Sequence, residues 1–224
     1  MTRHAEHIMN NFHATLMGDM AADRIQLIMR LRREGITDTR VLSAIEQTPR
    51  EAFVDEAFQA QAYDDCALPI ACEQTISMPS VVAHMSQALK LEPGHSVLEI
   101  GTGSGYQAAI LSQLCRRVHT IERHEELHTI STKRFESLRI RNITPHLGDG
   151  YKGWAYAAPY PRIIVTCAAE EPQALLEQLA DGGIMIIPLG EHVADQELFK
   201  ITREGNRFIT ERLFTVRFVP LVEE

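Results

Sequence analysis

Apolar residues along this chain change their period near residue 93. Before that point they recur at helical spacing. Ile25, Ile28 and Leu31, with Leu27 alongside, mark one face of a helix that begins near Asp23 and that Gly35 is placed to end. Thr37 or Asp38 can cap a second helix carrying Val41, Leu42 and Ile45, which must stop before Pro49. Residues 61 to 80 are rich in turn formers and read as irregular, and Val81 to Leu89 returns to helix. Residues 1 to 20 carry no firm pattern. The expected organisation is an N-terminal arm over 1–22, a helical and irregular region over 23–92, and a core from 93 to 224.

After Pro93-Gly94, short apolar runs alternate with helical ones. Ser96 to Ile100 reads as a strand, Tyr106 to Leu114 as a helix, Val118 to Ile121 as a second strand, and about 125 to 138 as a helix. Further strands are expected at Ile143 to Leu147, Ile163 to Thr166 and Ile184 to Ile187, with a helix from Pro172 to Leu179 before the last. Strand–helix alternation at these spacings predicts right-handed βαβ units. The fold class is therefore α/β: a doubly wound, mostly parallel sheet with helices on both faces. Two strand-like runs, Glu197 to Thr202 and Leu213 to Phe218, should add antiparallel strands at the C-terminal end.

Composition narrows the class. The chain has 224 residues, 45% of them hydrophobic, enough for one substantial core. No apolar run is long enough to span a bilayer, and the first twenty residues lack the unbroken apolar stretch of a secretory signal. Cys66, Cys72, Cys115 and Cys167 are widely spaced, so a reduced, cytoplasmic protein is expected. Formal charge is −8, and the basic residues are dispersed. Duplex nucleic acid needs a concentrated basic face, so no nucleic-acid or membrane partner is expected, and the protein is read as a monomer.

The chemistry centres on the strand-to-helix turn Gly101-Thr102-Gly103-Ser104-Gly105. Glycines there let the backbone bend tightly and let a ligand approach without Cβ interference. The spacing is GxGxG, Tyr106 occupies the place of a third dinucleotide-type glycine, and Glu99 stands two residues before Gly101. S-adenosylmethionine carries an ammonium and a sulfonium and no pyrophosphate, so nearby carboxylate favours it over a dinucleotide. Glu122 ends the second strand, 21 positions after Gly101, where a carboxylate can accept both ribose hydroxyls. Asp149, in Gly148-Asp149-Gly150, could accept from the adenine amino group, although a solvated carboxylate or helix cap serves the sequence as well. S-adenosylmethionine, leaving as S-adenosylhomocysteine, is thus the expected cofactor.

His124-Glu125-Glu126-Leu127-His128 is a literal HExxH, the pattern of zinc protease helices. It starts directly after Glu122, inside the βαβ pattern, and no third ligand stands out, so no metal is expected.

The residues then resemble a known family, protein-L-isoaspartate (D-aspartate) O-methyltransferase, from about Asp23 to the C-terminus. Thr48-Pro49-Arg50-Glu51-Ala52-Phe53-Val54, Gln74-Thr75-Ile76-Ser77 and the loop continuing into Tyr106-Gln107 carry the resemblance, with Gly148-Asp149-Gly150, Ile163 to Thr166 and Arg217 to Val222. It implies methylation of the free α-carboxylate of isoaspartyl (and D-aspartyl) residues in damaged proteins, beginning repair through a succinimide. It also implies that Ser77 is the active-site hydroxyl; the residue could equally cap the helix around Val81. The chain departs from the family at Ala71-Cys72-Glu73, where Gly-x-Gly is usual, and at Met78. Glu73 would bring negative charge towards an anionic substrate. A methyltransferase for another carboxylate, such as an aspartate in a dedicated peptide, and an inactive cofactor-binding module are the alternatives. A nicotinamide dehydrogenase fits Glu99 and Tyr106 poorly, and Thr166-Cys167-Ala168-Ala169 is unlike a DNA amino-methylation motif.

Overall fold

Leu27, Ile28 and Leu31 are buried and Ile25 and Met29 are exposed, the one-sided pattern that sets a helix on a core. The computed structural model describes residues 20–170, 172–190 and 195–221, and this helix, α1, runs over 20–33. It therefore starts inside the stretch assigned to an arm; residues 1 to 19 lie outside the described residues. Helix α2 (Thr39–Gln47) is capped by Asp38, whose carboxylate accepts from the Arg40 N–H at 2.9 Å. Helix α3 (Pro79–Ala88) opens on Pro79, where a missing N–H has no helical partner to lose. Its N-cap is Met78 without a side-chain bond, so the capping role open to Ser77 is not used.

Residues 61 to 80 are not wholly irregular. Leu68–Pro69 (β1) and Thr75–Ile76 (β2) form a short antiparallel hairpin, and its turn is closed by Gln74 N–H to Ala71 O at 3.2 Å. Strands of two residues leave no readable alternation, which is why the sequence pattern does not disclose them.

The main sheet has seven strands in the order β5-β4-β3-β6-β7-β8-β9. These are β3 (Ser96–Ile100), β4 (Arg117–Glu122), β5 (Ile143–Leu147), β6 (Tyr160–Val165), β7 (Leu179–Leu189), β8 (Gln196–Glu204) and β9 (Arg207–Val216). Strands β3 to β7 pair in parallel, and β8 and β9 pair antiparallel. The helices between them are α4 (Tyr106–Ser112), α5 (Glu125–Ser137) and α6 (Gln173–Glu177). Successive side chains of the inner strands enter different cores. Val97 and Ile164 join the cluster built by α1 to α4, whereas Leu98, Ile163 and Val165 join the one under Leu175 of α6. Both faces are covered, and runs apolar at every position follow.

Strand and helix ends shifted by a few residues at several elements, among them β6, which begins at Tyr160 and not Ile163, and the largest shifts are at two strands. β7 begins at Leu179, five residues before the expected Ile184, and runs through Gly182-Gly183 with a register shift opposite Tyr160 and Arg162. The last strand is Arg207–Val216 and not Leu213 to Phe218. β9 is an edge strand whose first six residues are exposed, so its apolar content is low. Cross-strand pairs support it instead, Lys200 with Glu211 at 2.8 Å and Arg212 with Glu197 at 2.7 Å.

Candidate functional site

Strand β3 has β4 on one side and β6 on the other, while the chain runs β3, β4, β5 before crossing to β6. This reversal opens a crevice at the carboxyl ends of the strands, the place where such sheets bind ligands. Here it is a cleft of about 960 Å³, open mouth included. Its floor is the loop after β3. Its walls come from Ile121 to His124, from Thr166 and Cys167, from the hairpin continuing to Ser77, and from Phe218 to Leu221.

The loop is pinned before any ligand arrives. The Gly101 and Thr102 N–H groups donate to Ile121 O at 2.9 and 3.2 Å. Thr166 Oγ1 donates to the Ile100 and Gly101 carbonyls, at 2.9 and 2.6 Å. Gly103 N–H donates to Glu122 Oε2 at 2.8 Å, and His124 N–H to Glu122 Oε1 at 3.0 Å. Glu122 is nearly buried and lines the cleft, so each oxygen keeps acceptor capacity for a ribose hydroxyl. Ser104 Oγ accepts from Tyr106 N–H at 3.2 Å inside the turn.

Glu99 and Asp149 are placed differently. Glu99 is fully buried beneath the loop and is not part of the cleft wall. Its Oε2 accepts from Thr120 Oγ1 at 2.6 Å, and Thr120 Oγ1 lies 2.6 Å from Thr102 Oγ1. Burial pushes the Glu99 carboxyl up to about 8, against the Thr120 hydrogen bond, so at neutral pH it is mostly protonated. It reaches the cleft through Thr102. Asp149 caps the turn Gly150–Lys152, accepting from Tyr151 N–H at 2.9 Å and pairing with Lys152 at 3.1 Å. Gly150, not Asp149, meets the cleft.

Ser77 also lines the cleft, half-buried. Its carbonyl accepts from Arg50 Nη2 at 2.9 Å, and no cap holds its hydroxyl. Glu73 is exposed in the hairpin turn and is not on the cleft wall, so the charge expected beside the substrate stands outside it. His124 is the extended N-cap of α5 and borders the cleft, while His128 is inside the helix. The two therefore do not share the continuous helical face that HExxH requires. Among the described residues no cluster of three or more His, Cys, Asp or Glu side chains converges on a metal site. Thr166, Tyr106 and the segment 218 to 221 were not foreseen as site residues. Thr166 and residues 218 to 221 are brought in by strand order, which spacing along the chain does not encode, whereas Tyr106 comes with the loop it follows.

The residues fit a nucleoside bearing a short cationic chain better than a dinucleotide. A Cβ added to Gly103 would touch only Ile70 Cδ1, at 3.6 Å, so the space before it is free for a ligand. The wall carries the Glu122 carboxylate. This sheet order and cleft are those of class I S-adenosylmethionine-dependent methyltransferases. A model of the Protein-L-isoaspartate(D-aspartate) O-methyltransferase (PCMT) family matches residues 22–224, and the chain belongs to that family.

Two bacterial relatives are matched over nearly their whole length. The chain is 53% identical over 212 residues to the protein-L-isoaspartate O-methyltransferase of Parvibaculum lavamentivorans, covering 93% of this chain and 96% of that one. It is 53% identical over 206 residues to that of Rhodospirillum centenum, covering 91% and 93%. A solved protein-L-isoaspartate O-methyltransferase superposes with a TM-score of 0.81 at 29% identity, over 88% of this chain and 65% of that one. A Plasmodium falciparum structure described as such an enzyme in complex with S-adenosyl-L-homocysteine gives 0.75 at 27% identity, over 89% and 98%.

Proposed function

We propose that this protein transfers the methyl group of S-adenosylmethionine to the free α-carboxylate of L-isoaspartyl residues, and to the free side-chain carboxylate of D-aspartyl residues, in damaged proteins, starting their repair through a succinimide. The observation that carries the reading is that one cleft is lined both by the Gly101 to Gly105 loop and by Ser77. S-adenosylmethionine, when bound, would supply a sulfonium methyl: a carboxylate oxygen would form a bond to that carbon in line as the C–S bond breaks, and S-adenosylhomocysteine would leave as the neutral thioether. The acceptor is already ionised at pH 7, so no general base is needed and the protein's share is positioning.

Each residue then has a place. Glu122 receives the ribose hydroxyls, and Gly103 leaves room for the cofactor beside the backbone. Glu99 and Thr102 hold the loop from below, and Asp149 keeps the turn that brings Gly150 to the adenine end. Ser77 Oγ donates to the acceptor carboxylate and turns one oxygen towards the methyl.

Labelled methyl transfer to an isoaspartyl peptide and its aspartyl twin tests the activity: the first should accept label and the second should not. Ser77→Ala should cut turnover about tenfold to a hundredfold, the scale of one lost orienting hydrogen bond. S-adenosylhomocysteine affinity should stay within about twofold, because none of the hydrogen bonds that hold the loop involves Ser77. Equal labelling of both peptides would remove the isoaspartyl assignment and leave a methyltransferase for another carboxylate.

A further inference from the structure

We propose that Arg50 is a positioning residue for the methyl acceptor, fixing the backbone of Ser77 and giving the acceptor side of the cleft an uncompensated positive charge. This rests on the reading of Ser77 as the acceptor-side residue. Arg50 is fully buried in the 3₁₀ turn Arg50–Phe53, far from the cofactor loop in sequence. Its guanidinium reaches two walls of the cleft at once. Nη2 donates to the Ser77 carbonyl at 2.9 Å, and Cζ stands 4.8 Å from the ring centroid of Tyr106, the first residue after the loop. Tyr106 is held in turn by an edge-on contact with Phe53, centroids 5.4 Å apart.

What sets Arg50 apart is what it lacks. Its Nε and Nη1 have no hydrogen-bond partner, and no carboxylate is within ion-pair distance among the described residues. The adjoining Glu51 is committed elsewhere, accepting from Tyr63 Oη at 2.5 Å with Arg24 at 3.9 Å. Asp65 is near enough to be felt but accepts from Ser80 N–H at 2.9 Å. A buried charge without a counter-ion is costly to the fold. The cost has a use where an anion is to be received, because the charge then acts through a poorly screened interior. A counter-ion beside Arg50 would cancel that attraction. Lysine would keep the charge but not the planar fork that spans Ser77 and Tyr106.

The test uses the full chain with Arg50→Met and Arg50→Lys. Binding of S-adenosylhomocysteine is followed by calorimetry and folding by thermal melting. Kinetics are measured with an isoaspartyl peptide, and inhibition with the same peptide bearing an α-carboxamide. For Arg50→Met, KM for the anionic peptide should rise about tenfold, the effect of one unit charge roughly 10 Å away at an effective dielectric of about 20. The inhibition constant of the neutral carboxamide and the cofactor affinity should each stay within about twofold. Arg50→Lys should recover KM while kcat remains low, separating charge from placement. A folded Arg50→Met with wild-type KM and kcat, or equal weakening of charged and neutral peptides, would overturn the proposal. If neither variant folds, the wild-type protein decides: it should bind the carboxylate peptide at least about tenfold tighter than the carboxamide, and equal binding sinks the idea. A wild type that methylates no isoaspartyl peptide would instead defeat the activity assigned above, which keeps the two failures apart.

Discussion

Gly103 and Gly105 sit two residues apart, both with positive φ, yet they answer to different neighbours. A Cβ on Gly105 would stand 2.7 Å from the Phe135 ring of α5, so that glycine lets a helix pack. A Cβ on Gly103 meets only Ile70, and larger branches would enter the cleft. Gly103→Val should therefore abolish S-adenosylhomocysteine binding in calorimetry, while stability falls by only about 1–2 kcal/mol for the left-handed conformation. Gly105→Ala should show the reverse emphasis, a larger drop in melting temperature from the clash with Phe135. Equal binding losses at equal stability would mean the two glycines are not divided in this way. Much of this was legible in the residues themselves: Gly101 to Gly105 and Glu122 are where the spacing put them. The positions of Glu99 and Asp149 were not, because a carboxylate beneath a loop and one facing a cleft have the same spacing. Only the hydrogen bonds to Thr120 and Tyr151 separate them.

Among the elements, the β1–β2 hairpin is the one whose sequence departs from what its shape prefers. Its turn places Cys72 at φ 57° and Glu73 at φ 58°, a left-handed pair of the kind tight hairpins favour and that glycine or asparagine normally supplies. A Cβ-bearing residue there costs about 1–2 kcal/mol. Cys72→Gly and Glu73→Gly should each recover about 1 kcal/mol, raising the melting temperature by about 2–4 °C in a chain of this length. Since Glu73 is outside the cleft, KM for an isoaspartyl peptide should not improve through removal of its charge. A salt-sensitive drop in KM for Glu73→Gly would show the turn folding over the substrate after all. The same element shows the limit of pattern reading. Strands β3 and β5 declared themselves with their observed bounds. The hairpin and β9 did not, one being too short to alternate and the other an exposed edge held by charged pairs.

The whole molecule's response to pH should be set by two sites on neighbouring strands, a half-buried histidine pair and the buried Glu99, that pull in opposite directions. On β4 and β5, His119 Nδ1 and His146 Nε2 are 3.2 Å apart, and Trp154 stacks on His146 at 3.8 Å. Burial, then His119 and His128, push His146 down to about 4, and burial with Arg117 lowers His119. The unfolded chain takes up protons on these histidines below about pH 6.5, whereas in the folded chain His146 refuses its proton until near 4 and His119 also titrates below its ordinary range. Their contribution to stability is thus present at neutral pH and lost as pH falls through that window. Glu99 works the other way. Its folded carboxyl holds a proton up to about 8, whereas the unfolded one releases it near 4.5, so its contribution falls as pH rises between those values. Each group can give a slope no steeper than about 1.4 kcal/mol per pH unit, and the partly exposed histidines give less. Between about 4.5 and 6.5 the two slopes oppose each other; above 6.5 only that of Glu99 remains. Thermal melting from pH 5 to 8 should therefore show wild-type stability declining above about 6.5. Glu99→Gln, which keeps an acceptor for Thr120 but cannot ionise, should hold its plateau there. His146→Gln should instead remove the opposing slope on the acid side, so that the decline already shows between about pH 5 and 6.5, and leave the neutral-side decline intact. Parallel profiles for wild type and Glu99→Gln above pH 6.5 would mean that Glu99 is ionised beneath the loop in the folded protein.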